Sequence, residues 1–525
     1  MLIFILFFII HAIANNHIVI GVENVHEQVH ISLTKNPQSM VISWVTLNPF
    51  NDNTLPTVEF GLSKDTLNFE QTGSTVTFKH INGNITRYFH KVILTNLSFN
   101  TTYYYRVGDS KTWSKLFYFH TFPEGNSFDV KFCVFGDMDT GKNFTIIALT
   151  EAVKNKECDI IFHIGDIAYQ LQKDDGLVGD DFMRQIEPIA AYVPYMVIDG
   201  NHEFDCYGFS HYNLRFVMPT DGDNEEDHYY SFNVGPISFI GLSSEIYGYY
   251  VVYGPEPIKK QGKWLEKKLV NINRNKNPWI ISYLHRPLYC FTKYHIEECN
   301  EYENSMIRRG YGDMPGLEEY FHKYSVDLVL YGHEHSYERN YPVYNRTVYQ
   351  YTNNIYYNSP ATTYILSGAG GCERCTVEKE ISNTEVLPFS ATRSLEIGYT
   401  LIHVLNHTHI KGQQIGTENK KIIDSYWIVK DIGFNMSSPR RSSEPQGIYR
   451  PFNLPQPNFP YLEPTGYINY CLANSNMTLF NDTKTTAKKA YDATTTEDNG
   501  GSFAHLSIIH LIPIFVIYII TNNFQ

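Results

Sequence analysis

The chain lacks the basic surplus that nucleic-acid binding requires. Lys and Arg number 42 against 55 Asp and Glu, a formal charge of −13, so no nucleic-acid-binding surface is expected and an anionic partner has to be met by local charge. A long apolar run is missing as well: Leu506 to Ile520 contains His510 and Pro513 and falls short of the roughly 20 residues a spanning helix needs. Cysteine is scarce, with 8 in 525 residues. The Cys-x-x-Cys at Cys372 to Cys375 has no second such pair, which speaks against a zinc or redox module and for structural disulfides, here and between Cys290 and Cys299. Cys133 and Cys158 are expected on neighbouring strands as buried free thiols, and the pairing of Cys206 and Cys471 stays open.

Both ends are apolar. Met1 to Ala14 closes on Ala12-Ile13-Ala14, a signal-peptidase pattern without a basic start. This leader, the cysteines and Asn-x-Ser/Thr sites at Asn84, Asn96, Asn100, Asn143, Asn345, Asn406, Asn435, Asn476 and Asn481 agree on an oxidising, extracellular route. At the other end, small residues from Ala493 to Thr496 and a polar spacer precede Leu506 to Ile520. That is the outline of a lipid-anchor signal, with a short transmembrane helix as the alternative, so a membrane surface is an expected partner.

Between these ends the pattern changes twice. Residues 15–124 read as short strands and turns, among them Ser39 to Val45, Thr57 to Gly61, Lys91 to Leu94 and Tyr103 to Gly108, with Trp44 of the buried kind. This is a small β-sandwich without a catalytic cluster, a spacer and dimerisation module that makes a homodimer the candidate assembly. Residues 125–430 alternate strand and helix, with helices expected over 144–156, 182–191, 261–269 and 316–324, which implies a layered α/β domain. Thr363 to Gly368 and Tyr399 to Leu405 are expected to return antiparallel, giving a mixed sheet. Residues 431–498, rich in Ser, Thr and Pro, read as a poorly ordered stalk, and 499–525 as the anchor signal.

The chain is organised around Gly165-Asp166-Ile167-Ala168-Tyr169 and the apolar run from Ile160 to Ile164 that delivers it. A β-branched run that stops at Gly-Asp marks a buried strand ending at the carboxyl edge of a sheet, where α/β domains keep their chemistry. The pattern recurs: Phe132 to Phe135 ends in Gly136-Asp137, Tyr195 to Ile198 in Asp199-Gly200-Asn201-His202-Glu203, Trp279 to Leu284 in His285, and Leu328 to Tyr331 in Gly332-His333-Glu334-His335. Singly, each residue has a bland role: Asp166 as a helix cap, His285 as a core imidazole, Tyr169 as a core ring, Asn201 as a turn residue. Together, three His, two Asp, an Asn and a Tyr at one rim make a mixed oxygen and nitrogen shell without thiolate, suited to iron, zinc or manganese. They are too many for one ion with an open position and suit two ions bridged by Asp166, as in two-metal hydrolases.

These blocks, in this order, and their continuations Arg286-Pro287-Leu288-Tyr289-Cys290 and Ser336-Tyr337-Glu338-Arg339, resemble the purple acid phosphatases of the calcineurin-like metallophosphoesterase superfamily. The match runs from about Gln28 to Lys430 and is similar to the long animal form with an N-terminal fibronectin III-like domain. The resemblance implies that Asp137, Tyr169 and His335 hold Fe(III), that Asn201, His285 and His333 hold a divalent ion (Zn, Fe or Mn), and that Asp166 bridges. A trivalent and a divalent ion against two carboxylates, a phenolate and a hydroxide leave about one positive charge, enough to attract a phosphate dianion to an acidic chain. The implied reaction is hydrolysis of phosphomonoesters at acid pH by a metal-held hydroxide, with His202 and His295 as candidate proton donors.

Two departures from the family pattern stand out. Asp139 occupies the position two after Asp137 where Gly is common, and Tyr294-His295 stands where plant relatives carry two adjacent His. No His lies two residues after Asp137, which separates the chain from metallophosphoesterases of the protein-phosphatase and nucleotidase kinds and gives that duty to Tyr169. The competing readings are a nucleotide- or diester-specific metallophosphoesterase and a surface adhesion glycoprotein with a decayed site.

Overall fold

The computed structural model describes residues 25–50, 54–80, 83–141, 144–220, 228–289, 306–371, 386–437, 448–451 and 466–475. The first of its units is all β. One antiparallel sheet joins Glu27–Leu33, Met40–Thr46, Thr86–Leu94 and Ser74–Lys79, and a second joins Phe69–Thr72, Thr57–Gly61, Thr102–Gly108 and Phe117–His120. Alternation buries Trp44, Tyr103, Tyr105 and Phe119 between them. An ion cluster without solvent contact fixes this unit to the next: Arg87 and Arg215 both bond the Asp180 carboxylate, and Arg215 also bonds Gln28.

The α/β unit is layered and mixed as expected, with the rim strands divided between two sheets. The first orders Tyr195–Ile198, Ile160–Ile164 and Val130–Phe135 in parallel, continued by antiparallel Gly398–Val404, His409–Gly416 and Ile422–Val429 and edged by Ile355–Tyr357. The second orders Tyr230–Val234, Ile237–Gly241, Trp279–Tyr283, Leu328–Tyr331, Thr363–Ser367, Tyr337–Asn340 and Ser390–Ser394. Thr363–Ser367 runs parallel to Leu328–Tyr331, against the antiparallel expectation, while Gly398–Val404 is antiparallel as expected.

The sheets pack face to face through aromatic rings, with Phe132 and Phe239 centroids 5.2 Å apart and Phe162 and Tyr283 4.9 Å apart. Their outer faces are covered by helices. Ile146, Leu149, Phe182 and Ile186 of Phe144–Lys154 and Leu177–Ala190 pack on one, and Leu265, Leu269, Leu317 and Phe321 of Glu256–Asn271 and Leu317–Lys323 on the other. Strands apolar on both faces are what such layering demands, and they read in sequence as continuous runs.

Three cysteine and tail expectations change. Cys133 and Cys158 are not free thiols but a disulfide, because Cys158 lies two residues before Ile160–Ile164, the strand parallel to Val130–Phe135, and the Cα atoms lie 5.7 Å apart. Cys206 pairs with Cys471. The stretch read as a stalk contains the strand Ile448–Pro451, paired with Thr347–Gln350, and the helix Gly466–Asn474, whose Ile468 and Cys471 are buried. Among the described residues no helix is long and apolar enough to cross a membrane. The leader, the anchor signal and the pairs Cys290–Cys299 and Cys372–Cys375 fall outside the described residues.

Candidate metal centre

Three of the five rim strands, Val130–Phe135, Ile160–Ile164 and Leu328–Tyr331, end in turns whose backbone is forced out of its ordinary range. Asp137, Asp166, Tyr169 and His333 have φ of 62°, 50°, 49° and 75°. Left-handed conformations cost non-glycine residues about 1–3 kcal/mol each and collect at functional sites. Two glycines allow the close approach. A Cβ on Gly165, itself at φ +88°, would meet His285 Nδ1 at 2.4 Å, and one on Gly332 would meet Asp137 Oδ2 at 2.6 Å.

These turns bring two groups of donors together around Asp166: Asp166 with His285 and His333, and Asp166 with Asp137 and His335. In the first, the His285 Nδ1–H donates to the Ile164 carbonyl at 2.9 Å, which aims Nε2 inward. That atom lies 3.3 Å from Asp166 Oδ1, 3.1 Å from Asn201 Oδ1 and 3.2 Å from His333 Nδ1, and Asn201 Oδ1 is 2.9 Å from His333 Nδ1. In the second, Asp137 Oδ1 is buried without a hydrogen-bond partner and lies 3.6 Å from His335 Nε2, which is 2.5 Å from the Tyr169 hydroxyl.

The electrostatics of both groups call for positive charge. Burial alone would lower His285, yet Asp166 and Asp137 raise it to about 10. Burial pushes Asp137 well up, with Asp166 adding to it against the opposing effect of His285. For Asp166 burial acts upward, but the His285 and His202 imidazoles hold its carboxyl below the usual range. Tyr169 is pushed well up by burial and then by Asp137 and Asp166, so its phenolate is stable only beside a strong cation. His335 is lowered to about 3 by burial, which favours the neutral imidazole that a metal ligand needs. An orphaned buried carboxylate oxygen, convergent imidazole nitrogens and a carboxylate shared by two groups fit a pair of metal ions.

Of the residues singled out in the sequence, Asp137, Asp166, Tyr169, Asn201, His285, His333 and His335 converge here. His202 lies at the mouth, about a third exposed, its backbone N–H on Asp166 Oδ1 at 2.9 Å, its Nε2 3.9 Å from Asp166 Oδ2 and its ring 4.5 Å from that of Tyr169. His295 lies outside the described residues. Asp139 is buried and accepts from the Gly141 N–H.

Sequence reasoning passed over the supports. Glu203 accepts the N–H groups of Asp166, Ile167 and Gly200 at 2.8–2.9 Å and so binds the turns that carry Asp166 and Asn201 together. Its only signal was a Glu three residues after Gly200. Burial and then Asp166 raise it to about 8, against the donating N–H groups of Ile167 and Gly200. The Tyr249 hydroxyl bonds the Asn201 carbonyl at 2.8 Å, and Arg286 pairs with buried Glu245 behind His285. Nothing in their local sequence marks either.

The three segments of the chain each match a known family. Residues 26–121 match the purple acid phosphatase N-terminal domain, 130–337 the calcineurin-like phosphoesterases, and 361–425 the iron/zinc purple acid phosphatase-like protein C. Human acid phosphatase type 7 is 39% identical over 415 residues, covering 77% of this chain and 91% of the relative. The chain belongs to the purple acid phosphatase family. The zebrafish (Danio rerio) acid phosphatase type 7 is 38% identical over 417 residues, with 77% and 91% coverage. A purple acid phosphatase from yellow lupin (Lupinus luteus) seeds shares the fold, with a TM-score of 0.64 at 24% identity, covering 80% of this chain and 78% of its own. As a purple acid phosphatase the chain is a metal-dependent acid phosphatase with a binuclear centre.

Proposed function

We propose that the chain hydrolyses phosphomonoesters in acid at a mixed-valence pair of ions. Asp137, Tyr169 and His335 hold Fe(III), Asn201, His285 and His333 hold Zn, Fe or Mn as a divalent ion, and Asp166 serves both. The observation that carries this is the sharing of Asp166 between two donor groups. Two carboxylates and a phenol favour a trivalent ion, whereas an amide oxygen and two imidazoles favour a divalent one. When bound, the ions supply Lewis-acid charge for the phosphoryl oxygens and activation of water.

The protein groups do the rest. Asp166 fixes the spacing of the two halves, Glu203 keeps its turn in place, and the Ile164 carbonyl sets the tautomer of His285. His202 hands a proton to the leaving alkoxide or phenolate, a role supported by its partial exposure beside Asp166 and Tyr169. His295 is a second donor on sequence grounds. Colour tests the assignment. A Tyr169 phenolate on ferric iron gives a visible band, and Tyr169→Phe, which keeps the ring and removes one oxygen, abolishes it while the fold remains. Oxidised, iron-loaded wild-type protein without a visible band would contradict the ligand role.

We further propose that the chain is exported, N-glycosylated and held at the cell surface by a C-terminal lipid. Exposed Asn84, Asn96, Asn100, Asn345, Asn406 and Asn435 and the two disulfides support export. The short apolar run after the small residues at Ala493 to Thr496 supports the anchor.

A further inference from the structure

The helix Gly466–Asn474 lies beyond residue 425, where the family matches end, yet it is built into the catalytic unit. Ile468 joins the buried apolar cluster that contains Phe204, Phe209 and Tyr249, and Leu472 packs against the same cluster. Cys471, fully buried, is bonded to Cys206 across 265 residues of chain. Cys206 lies in a tight turn closed by reciprocal backbone bonds between Asp205 and Gly208. The Asp205 carboxylate anchors the turn by accepting from Tyr207 N–H, Ser210 Oγ and His211 N–H.

This turn continues directly from Asn201, His202 and Glu203. Two connections carry its position back to the centre. Phe204 stacks on Tyr249 with ring centroids 4.0 Å apart, and the Tyr249 hydroxyl holds the Asn201 carbonyl. Glu203 holds Gly200 to Asp166 and Ile167. The anchoring disulfide thus sits five residues from the amide assigned to the divalent ion, at the end of a packed chain of contacts.

We propose that the C-terminal helix, through the Cys206–Cys471 bond, is a positioning element for the divalent half of the centre. It fixes the 201–208 loop so that the Asn201 amide faces His285 and His333. The inference rests on the metal assignment above. It bears more on one half than the other, because the Tyr249 connection reaches Asn201 alone, whereas Asp137 and His335 belong to other turns.

The test uses the full chain, as wild type, as Cys206→Ser/Cys471→Ser and as Tyr249→Phe, each loaded with iron. Zn2+ affinity is measured by equilibrium dialysis, the visible band reports the Tyr169 half, and melting temperature reports stability. The double Ser variant should lose Zn2+ affinity by about tenfold or more, the range for supports of metal ligands, with the band unmoved. Tyr249→Phe, which keeps the disulfide and removes one hydrogen bond to Asn201, should lose affinity in the same direction. A lower melting temperature with wild-type Zn2+ affinity would overturn the proposal and make the disulfide a plain staple. If the double variant does not fold, Tyr249→Phe decides, since unchanged affinity there overturns it. Wild-type protein that takes up neither ion overturns the metal reading and this inference with it; wild-type protein with two ions and equal Zn2+ affinity in the variants overturns this inference alone.

Discussion

Glu203 gives the most informative single perturbation, because its carboxylate is 1% exposed and holds three buried backbone donors. Glu203→Ala orphans the N–H groups of Asp166, Ile167 and Gly200. At about 1–3 kcal/mol for each unsatisfied donor the ceiling is about 9 kcal/mol, and water entering the vacated volume recovers part of it. A net loss of about 3–5 kcal/mol follows. Glu203→Gln keeps the volume and one acceptor oxygen. Its Oε1 serves Asp166 and Gly200, which share one carboxylate oxygen now, and its amide nitrogen faces the Ile167 N–H. The Ile167 N–H is then left without an acceptor, at a cost of about 1–3 kcal/mol. Asp166 at φ 50° is held in place by these bonds, so both variants should also bind metal more weakly, Ala more than Gln. Urea denaturation and metal analysis of the three proteins provide the assay. A Glu203→Ala protein within about 0.5 kcal/mol of wild type, the range of an inert surface change, and with full metal content would refute the reasoning.

Glu338 yields a pH prediction. It is buried on Tyr337–Asn340, and burial raises its carboxyl from 4.5 to about 8, opposed by Ser390 and Arg393 and reinforced by Glu334. A raised carboxyl stabilises the fold fully below its unfolded value and loses that contribution as pH rises through the folded one. Wild-type stability relative to Glu338→Gln should therefore fall between about pH 4.5 and pH 8, by no more than about 1.4 kcal/mol per pH unit; denaturation of both proteins across that window checks it, and a pH-independent difference contradicts it. The lipid anchor predicts that a phosphatidylinositol-specific phospholipase releases activity from intact cells; recovery of a peptide spanning Ile508 to Gln525 from the mature membrane form would decide for a spanning helix.

The rim was legible in the sequence for a physical reason. Strands buried on both faces carry unbroken apolar runs, and the runs ending at Asp137, Asp166, Asn201, His285 and His333 are real strand ends. The pattern does not encode which sheet a run joins. Trp279–Tyr283 and Leu328–Tyr331 look like Ile160–Ile164 yet pair in the second sheet, and the direction of Thr363–Ser367 follows from a crossover that periodicity does not carry. Supports that act through the backbone were the least visible. Glu203 meets Asp166 across 37 residues and Tyr249 meets Asn201 across 48. The Cys206–Cys471 bond joins a polar, Pro-rich segment to the rim, where composition alone suggested a stalk.

Asp166 is the residue on which the account turns, and counting metal in purified wild-type protein and Asp166→Asn tests it most directly. The substitution removes the carboxylate shared by the two donor groups while the neighbouring strands, packed through Phe162 and Ile164, stay intact. Elemental analysis should find two ions per wild-type chain, one of them iron, and in the variant a loss from both sites with phosphatase activity down by more than about a hundredfold. A variant that retains both ions and wild-type turnover would reduce Asp166 to a turn residue and contradict the account.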